Sequence, residues 1–431
     1  MKNYIYGLII FVCLCGFLHI VLANKTMNID IKNTASNIEK VDFYIDQIID
    51  DNKKFLDKSD IKQFSWDVEL LASNWNYYDG ILMLALIKHG KYKDFADDFY
   101  NAMIKDDGSL NNVRNKHNVI FKYDVDFFPQ VRTLLYLEDS KHFNKYKIML
   151  DGMYDKLKTH PVISQCGNNL YHQALNPGWQ KYPLALDGIY MAQPFVLEYE
   201  KEANRLGLKH KNNDSKNIVF NRLNWVHNNM ANKLDFYDHV VSNDGKETNH
   251  VSWLRAIGWY AMAQVDILDS LPEGENKEII KIQLKKFFNP MIKKQSKTNG
   301  MWKNVVYSHT GKEFMNIFEM GHNCNYYETS GSAMMAYALM KSYNEGYLTD
   351  KKYAYAGLKA FNGIVSNNLK QTDKHRYSLS NIYRSTGASS QISYYKSCRG
   401  YLFDEAKGVA PLILANVEAK KLLKILYNSE K

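Results

Sequence analysis

Residues 250–296 read HVSWLRAIGWYAMAQVDILDSLPEGENKEIIKIQLKKFFNPMIKKQS, and the two halves of that stretch differ in kind. From His250 to Leu271, apolar and small residues occupy nearly every side of a helix. From Asn276 to Ser296 the apolar residues keep to one stripe, at three- and four-residue intervals, and lysines fill the rest. A helix hydrophobic all round must be buried, whereas one with a single apolar stripe covers other elements from outside. The stretch therefore predicts an inner helix followed by an outer one.

The same two kinds alternate strictly along the chain. Amphipathic, lysine-rich segments fall at 38–56 (Ile38, Val41, Ile45, Ile48, Ile49), 93–105, 142–159, 214–234, 276–296 and 350–369. Apolar segments fall at roughly 68–89, 124–138, 184–202, 250–271, 326–345 and 407–425. Period-two alternation is scarce, so the class is all-α. Six outer and six inner helices in alternation predict an (α/α)6 barrel, a closed ring of helical hairpins. An open α-solenoid would show a fixed period and self-similar repeats, and here the spacing drifts. The inner segments begin with aromatic or acidic clusters: Trp75-Asn76-Tyr77-Tyr78-Asp79, Tyr123-Asp124-Val125-Asp126, Leu186-Asp187-Gly188, Ser252-Trp253-Leu254-Arg255 and Asn325-Tyr326-Tyr327-Glu328. If these helices run parallel, the clusters converge on one mouth.

Composition bounds the rest. The chain has 431 residues, 45% hydrophobic and 23% charged, which excludes a disordered or collagen-like polymer. Lys2 followed by an apolar run to Leu22, ending Val21-Leu22-Ala23, reads as a secretory signal over residues 1–23, although the run is long enough for an uncleaved anchor. The expected layout is signal peptide 1–23, tail 24–37 and a single domain 38–431, exported to the periplasm or the medium. Without the signal the chain keeps 54 basic and 46 acidic residues, a net charge of +8. The excess is spread along the chain, so no nucleic-acid arm is expected, and no membrane association after cleavage. Cys166, Cys324 and Cys398 remain, an odd number without metal-ligand spacing, so at most one pair bridges and no zinc site is expected.

Two segments carry charge in an apolar setting. Asp187 is the one carboxylate between Pro183 and Phe195, and Asp124 and Asp126 precede Phe127-Phe128-Pro129. Burial raises a carboxyl's proton affinity, and a second carboxylate nearby raises it further, so a buried Asp187 would move toward the range where a carboxylic acid can donate a proton near neutrality. Either Asp would also serve as a plain helix cap. In Trp253-Leu254-Arg255-Ala256-Ile257-Gly258-Trp259, an arginine suited to a carboxylate stands among tryptophans suited to sugar rings, yet the three cannot share one helix face. Tyr171-His172-Gln173 lies on the loop before Asp187. No serine nucleophile elbow, phosphate loop or zinc signature is present.

These residues, taken in order, resemble the unsaturated rhamnogalacturonyl hydrolases, glycoside hydrolase family 105. The stretches are Trp75-x-Tyr77-x-x-Gly80, the Asp126 segment, Tyr171-His172, Leu186-Asp187-Gly188-x-Tyr190-Met191-x-x-Pro194-Phe195, Trp253-x-Arg255-x-Ile257-Gly258-Trp259, Glu328-Thr329-Ser330-Gly331-Ser332, Ser385-Thr386-Gly387 and Gly408-x-x-Pro411-x-Ile413-Leu414-Ala415. The resemblance implies an enzyme that removes a terminal 4,5-unsaturated uronic acid from lyase-cut oligosaccharides by protonating and hydrating the C4=C5 bond. It places the proton donor at Asp187 and its carboxylate partner at Asp126. It puts Asn76, Tyr77, His172, Gln173, Trp253, Arg255, Trp259 and Thr386 around the substrate, and it implies no metal or organic cofactor. The family often carries a Tyr-His pair; in Tyr237-Asp238-His239 the histidine is shifted by one, leaving open whether Asp238 or His239 faces the cleft.

The expected substrate is an unsaturated uronyl-rhamnose fragment, from sulfated ulvan or from rhamnogalacturonan. The alternatives are a glucuronyl hydrolase acting on glycosaminoglycan fragments and a non-catalytic carbohydrate-binding toroid.

Overall fold

Apolar side chains on every side drive six helices inward, and each is followed or preceded by an amphipathic one that covers it. The computed structural model describes residues 31–56, 75–111, 123–210, 215–308, 324–372, 376–396 and 401–429. In chain order the helices are α1 (Ile31–Leu56), α2 (Tyr77–His89), α3 (Lys93–Met103), α4 (Phe128–Leu134), α5 (Phe143–Lys158), α6 (Leu186–Leu206) and α7 (Ser215–Asn229). They continue with α8 (Leu254–Ser270), α9 (Glu275–Lys294), α10 (Thr329–Asn344), α11 (Lys351–Asn368), the single turn α12 (Ile392–Tyr395) and α13 (Ala406–Ser429). Helix α8 shows the inner pattern at its fullest, with every residue from Leu254 to Leu268 buried.

The inner helices α2, α4, α6, α8, α10 and α13 each pack on the next, and α13 packs back on α2. That closure is the (α/α)6 barrel; an open solenoid would leave its two ends apart. Close approach between neighbours depends on small residues. A Cβ on Gly80 of α2 would lie 2.4 Å from the backbone nitrogen of Gln130 in α4, so only glycine fits that crossing.

Three expectations are corrected. Helix α1 starts at Ile31, so part of the stretch read as tail is helical. Asn37 donates to Asn362 on α11, which in turn donates to Thr34, fastening that first turn to the barrel. The segment expected as one helix over 124–138 is a 3-10 turn (Val125–Phe127) followed by the short α4, with Pro129 in its first turn, where a missing N–H leaves no helix bond unmade. The start of α2 is also later than expected, at Tyr77, where Asn76 caps it; residues 68–74 lie outside the described residues.

Cys166 is buried and free, and Cys324 is disulfide-bonded to a partner outside the described residues. The expected signal, 1–23, also lies outside them. Among the described residues no helix is long and apolar enough to cross a membrane.

Candidate active site

Short antiparallel contacts lace together the segments that precede the inner helices. Val125 N donates to His172 O (3.1 Å), and His172 N donates to Pro183 O (2.8 Å). Leu186 N donates to His239 O (3.0 Å), and His239 N donates to Val251 O (2.9 Å). Leu184–Ala185 pairs with Val240–Val241, and Val251–Trp253 pairs with Val305–Ser308. This lacing sets the loops carrying His172 and His239 on either side of the first turn of α6, where Asp187 stands.

Each of two carboxylates then meets an imidazole. Asp187 Oδ2 lies 3.3 Å from His239 Nε2, and Asp126 Oδ1 lies 3.4 Å from His172 Nε2. The two carboxylates keep 14% and 20% exposure, enough for a ligand to reach them. Asp124 does the capping instead: it accepts from Asp126 N and from Gln173 Nε2, both at 2.9 Å. Gly188 lets His172 approach, since a Cβ there would lie 3.0 Å from His172 Nδ1.

The sign of the Asp187 shift differs from the expectation. Burial pushes its carboxyl up, as the sequence suggested, but the contact with His239 and the charge of His172 outweigh burial and hold it below the usual range. His172 moves the other way. Burial alone would lower it, yet Asp126, Asp187 and Asp124 raise it to about 9. Asp124 itself is pushed up by burial and by the neighbouring charge of Asp126. The resting site therefore holds an ionised Asp187 beside a cationic His172.

Tyr77, at the head of α2, is the hub of the mouth. Its hydroxyl is raised by burial and feels Arg255, Asp126, Glu405 and Asp187. Its ring meets Trp259 edge-on at 6.1 Å, and Trp259 stacks on Tyr190 at 5.1 Å, so this tryptophan is part of the buried floor. Arg255 is also buried. Its Nε donates to Ser330 Oγ (2.9 Å), its Nη2 donates to Tyr383 O and stands 3.7 Å from Glu328 Oε1, and Nη1 is outside these contacts. Among the described residues, no group of three or more His, Cys, Asp or Glu side chains is arranged to hold a metal ion.

A sequence profile of Glycosyl Hydrolase Family 88 matches residues 46–423. The chain belongs to that family. It is a glycosidase, and the family 105 likeness read from the sequence points to the same group. A family 105 glycoside hydrolase from C. acetobutylicum superposes with a TM-score of 0.69 at 22% identity, covering 85% of this chain and 98% of that one. The unsaturated glucuronyl hydrolase from Bacillus sp. GL1 superposes at 0.58 with 11% identity, covering 92% and 96%. By sequence, a 24.9 kDa protein in the picA locus of Rhizobium radiobacter is 29% identical over 177 residues, 39% of this chain and 71% of that protein.

Several of the family 88 chain's other candidates are committed to neighbours. Asn76 accepts from Asp79 N (2.9 Å) and donates to Asp79 Oδ2 (2.7 Å), so it acts as the α2 cap. Gln173 holds Asp124 and accepts from Asn176 Nδ2 (2.6 Å). Trp253 is buried, donates to Asn304 Oδ1 (3.0 Å), and packs 5.0 Å from the His239 ring, so it backs the site. Thr386 is half-buried, on the segment where Ser385 meets Lys407.

The open choice between Asp238 and His239 resolves to His239. Asp238 is turned away, accepting from Thr248 and Ser252. Three further groups escaped the sequence reading. Trp179 lies against His172 with ring centroids 4.3 Å apart. Lys407 and Glu405 form a buried 2.5 Å pair at the head of α13, with Lys407 Nζ 5.3 Å from the Tyr78 ring. Their signal was available, since every other inner helix also carries a polar cluster at that end. Tyr395, whose hydroxyl is 2.8 Å from His239 Nδ1, had none.

Proposed function

We propose that this glycosidase removes the terminal 4,5-unsaturated uronic acid from lyase-generated oligosaccharides. The observation that carries the reading is the pair of carboxylate–imidazole contacts, Asp187–His239 and Asp126–His172, at one mouth with Arg255 and Tyr77. An ordinary glycosidase pair attacks or protonates around C1. Here the ionised resting state of Asp187 calls for a substrate that changes it. A uronate carboxylate drawn in by the His172 cation brings a like charge and excludes water, and both raise the proton affinity of Asp187.

Protonated Asp187 then gives its proton to C4, leaving an oxocarbenium ion at C5. Water adds at C5 and loses a proton to the carboxylates. The hemiketal opens by breaking C5–O5, and the hemiacetal left at C1 expels the remaining sugar. Asp126 holds His172 charged during these steps.

The preferred substrate is an unsaturated uronyl-rhamnose fragment of the sulfated ulvan type or of rhamnogalacturonan. The higher TM-score to the family 105 structure than to the glucuronyl hydrolase supports that choice, and the net charge of +8 without residues 1–23 suits anionic fragments. Export, expected from residues 1–23, would place the enzyme among lyase products. The test follows the ultraviolet absorbance of the conjugated double bond with ulvan, rhamnogalacturonan and chondroitin fragments in parallel. Loss of absorbance on a uronyl-rhamnose fragment is expected. Loss on chondroitin fragments alone would move the substrate to glycosaminoglycans, and no loss on any, with the protein folded, would refute the reaction.

A further inference from the structure

Both lone pairs of the Tyr395 hydroxyl are occupied. Asn249 Nδ2 donates to it at 3.0 Å and the Ser389 backbone N–H at 3.2 Å. The Asn249 amide has one consistent orientation. Its Oδ1 faces the N–H groups of Val240 and Val251, both at 3.4 Å, and its Nδ2 also donates to Ser389 O at 2.8 Å. A phenol has one proton to give and two lone pairs to fill. With the lone pairs filled, the Tyr395 proton goes to its remaining neighbour, His239 Nδ1, at 2.8 Å.

That nitrogen is therefore an acceptor, and the neutral imidazole carries its own proton on Nε2, the atom 3.3 Å from Asp187 Oδ2. The ring is 1% exposed and lies between Trp253 and Tyr395, both edge-on, so solvent offers it no other partner. We propose that Tyr395 is a positioning residue of the active site: it fixes His239 as the Nε2–H tautomer and so sets an N–H, rather than a lone pair, beside the Asp187 carboxylate at 3.3 Å. The opposite tautomer would set two acceptors against each other and drive Asp187 toward its neutral form before any substrate arrived. The titratable groups against the His239 ring are Asp187 and Tyr395, and His172 acts on Asp187 as well. The tautomer stands on geometry alone; its catalytic meaning rests on the role of Asp187 proposed above.

The test is substrate-free. In protein labelled with nitrogen-15 histidine, long-range proton–nitrogen spectra report which ring nitrogen of His239 carries hydrogen. Wild type is expected to show the proton on Nε2. Tyr395→Phe is expected to admit the Nδ1–H form and to move the Asp187 carboxyl titration up. Asn249→Ser, which empties one Tyr395 lone pair, is expected to admit the Nδ1–H form in part and serves if Tyr395→Phe does not fold. A wild-type proton on Nδ1, or variants with an unchanged tautomer, would overturn the proposal. Failure of the enzyme on every unsaturated uronide would refute the function and leave these spectra as they are.

Discussion

His172 Nε2 stands 3.4 Å from Asp126 Oδ1 in a position that leaves the imidazole 5% exposed, and the pair keeps the histidine charged where burial alone would discharge it. Its proton affinity is raised to about 9. If the cation draws in the uronate, KM rises about tenfold per unit above that pH, in addition to any change that Asp187 imposes at lower pH. His172→Gln should raise KM and abolish the dependence; a KM flat through pH 10 in wild type would sink the role. Stability follows with a definite sign. A folded-state value above the unfolded one of about 6.5 means the contribution is whole below about 6.5 and is lost as pH rises through about 9.

Asp187→Asn should lower kcat by about a hundred- to ten-thousand-fold while the protein stays folded, as expected for a group that transfers the proton. Because Asp187 is held below the usual carboxylate range in the free protein, the alkaline limb of kcat/KM should lie at lower pH than that of kcat. The two profiles report free enzyme and complex respectively. Coincident limbs would show that substrate does not raise the acid.

Arg255 has a structural duty separable from binding. Glu328 is fully buried and accepts from Ser330 N, Gly331 N and Tyr383 N, capping α10 and tying it to the 382–383 strand. Arg255 is the cation beside it. Removing that cation by Arg255→Ala should cost about 3–5 kcal/mol, read from the denaturant midpoint, because a buried carboxylate is left uncompensated. A loss within about 0.5 kcal/mol, the range of an ordinary surface substitution, would mean Arg255 serves the ligand alone.

At the opposite ends of the inner helices, Asp266 joins Lys341 (2.7 Å) and Arg132 (2.9 Å), and Arg132 forks onto Glu198. Burial opposes ionisation of Asp266, but Lys341 and Arg132 prevail and hold the carboxyl far below its usual range. The stability it supplies is present above about pH 3.9 and is lost as pH falls through the folded-state value. Asp266→Asn should lower the melting temperature, with kcat and KM at neutral pH within twofold of wild type. A large change in kcat with unchanged melting would place this cluster in the reaction instead.

The helices were legible because burial leaves a periodic trace: α8 is apolar all round and α9 is striped, and each sits where that pattern put it. The positions of Asp126 and Asp187 were legible as isolated charges at inner-helix heads. At Asn76 and Gln173 a polar residue near a helix head reads the same whether it caps or binds, and the structure adds that Asn76 caps α2 and Gln173 holds Asp124. The partner of Asp187 was obscured because His239 arrives from a loop whose register is set by backbone bonds to Leu186 and Val251.

The sequence by itself determined the alternation of inner and outer helices, and with it the barrel and the mouth where the carboxylates gather. Hydrophobic periodicity is a local property, and closure follows from burying six apolar helices against one another. Only the tertiary structure decided the charge state of Asp187. Local sequence reports that a carboxylate is buried, which raises its proton affinity. The opposing contributions come from the His239 side chain as hydrogen-bonding partner and from the charge of His172, and proton affinity depends on which donors and charges stand within a few ångströms, a quantity set by the ring's closure and by the short strands that lace its mouth.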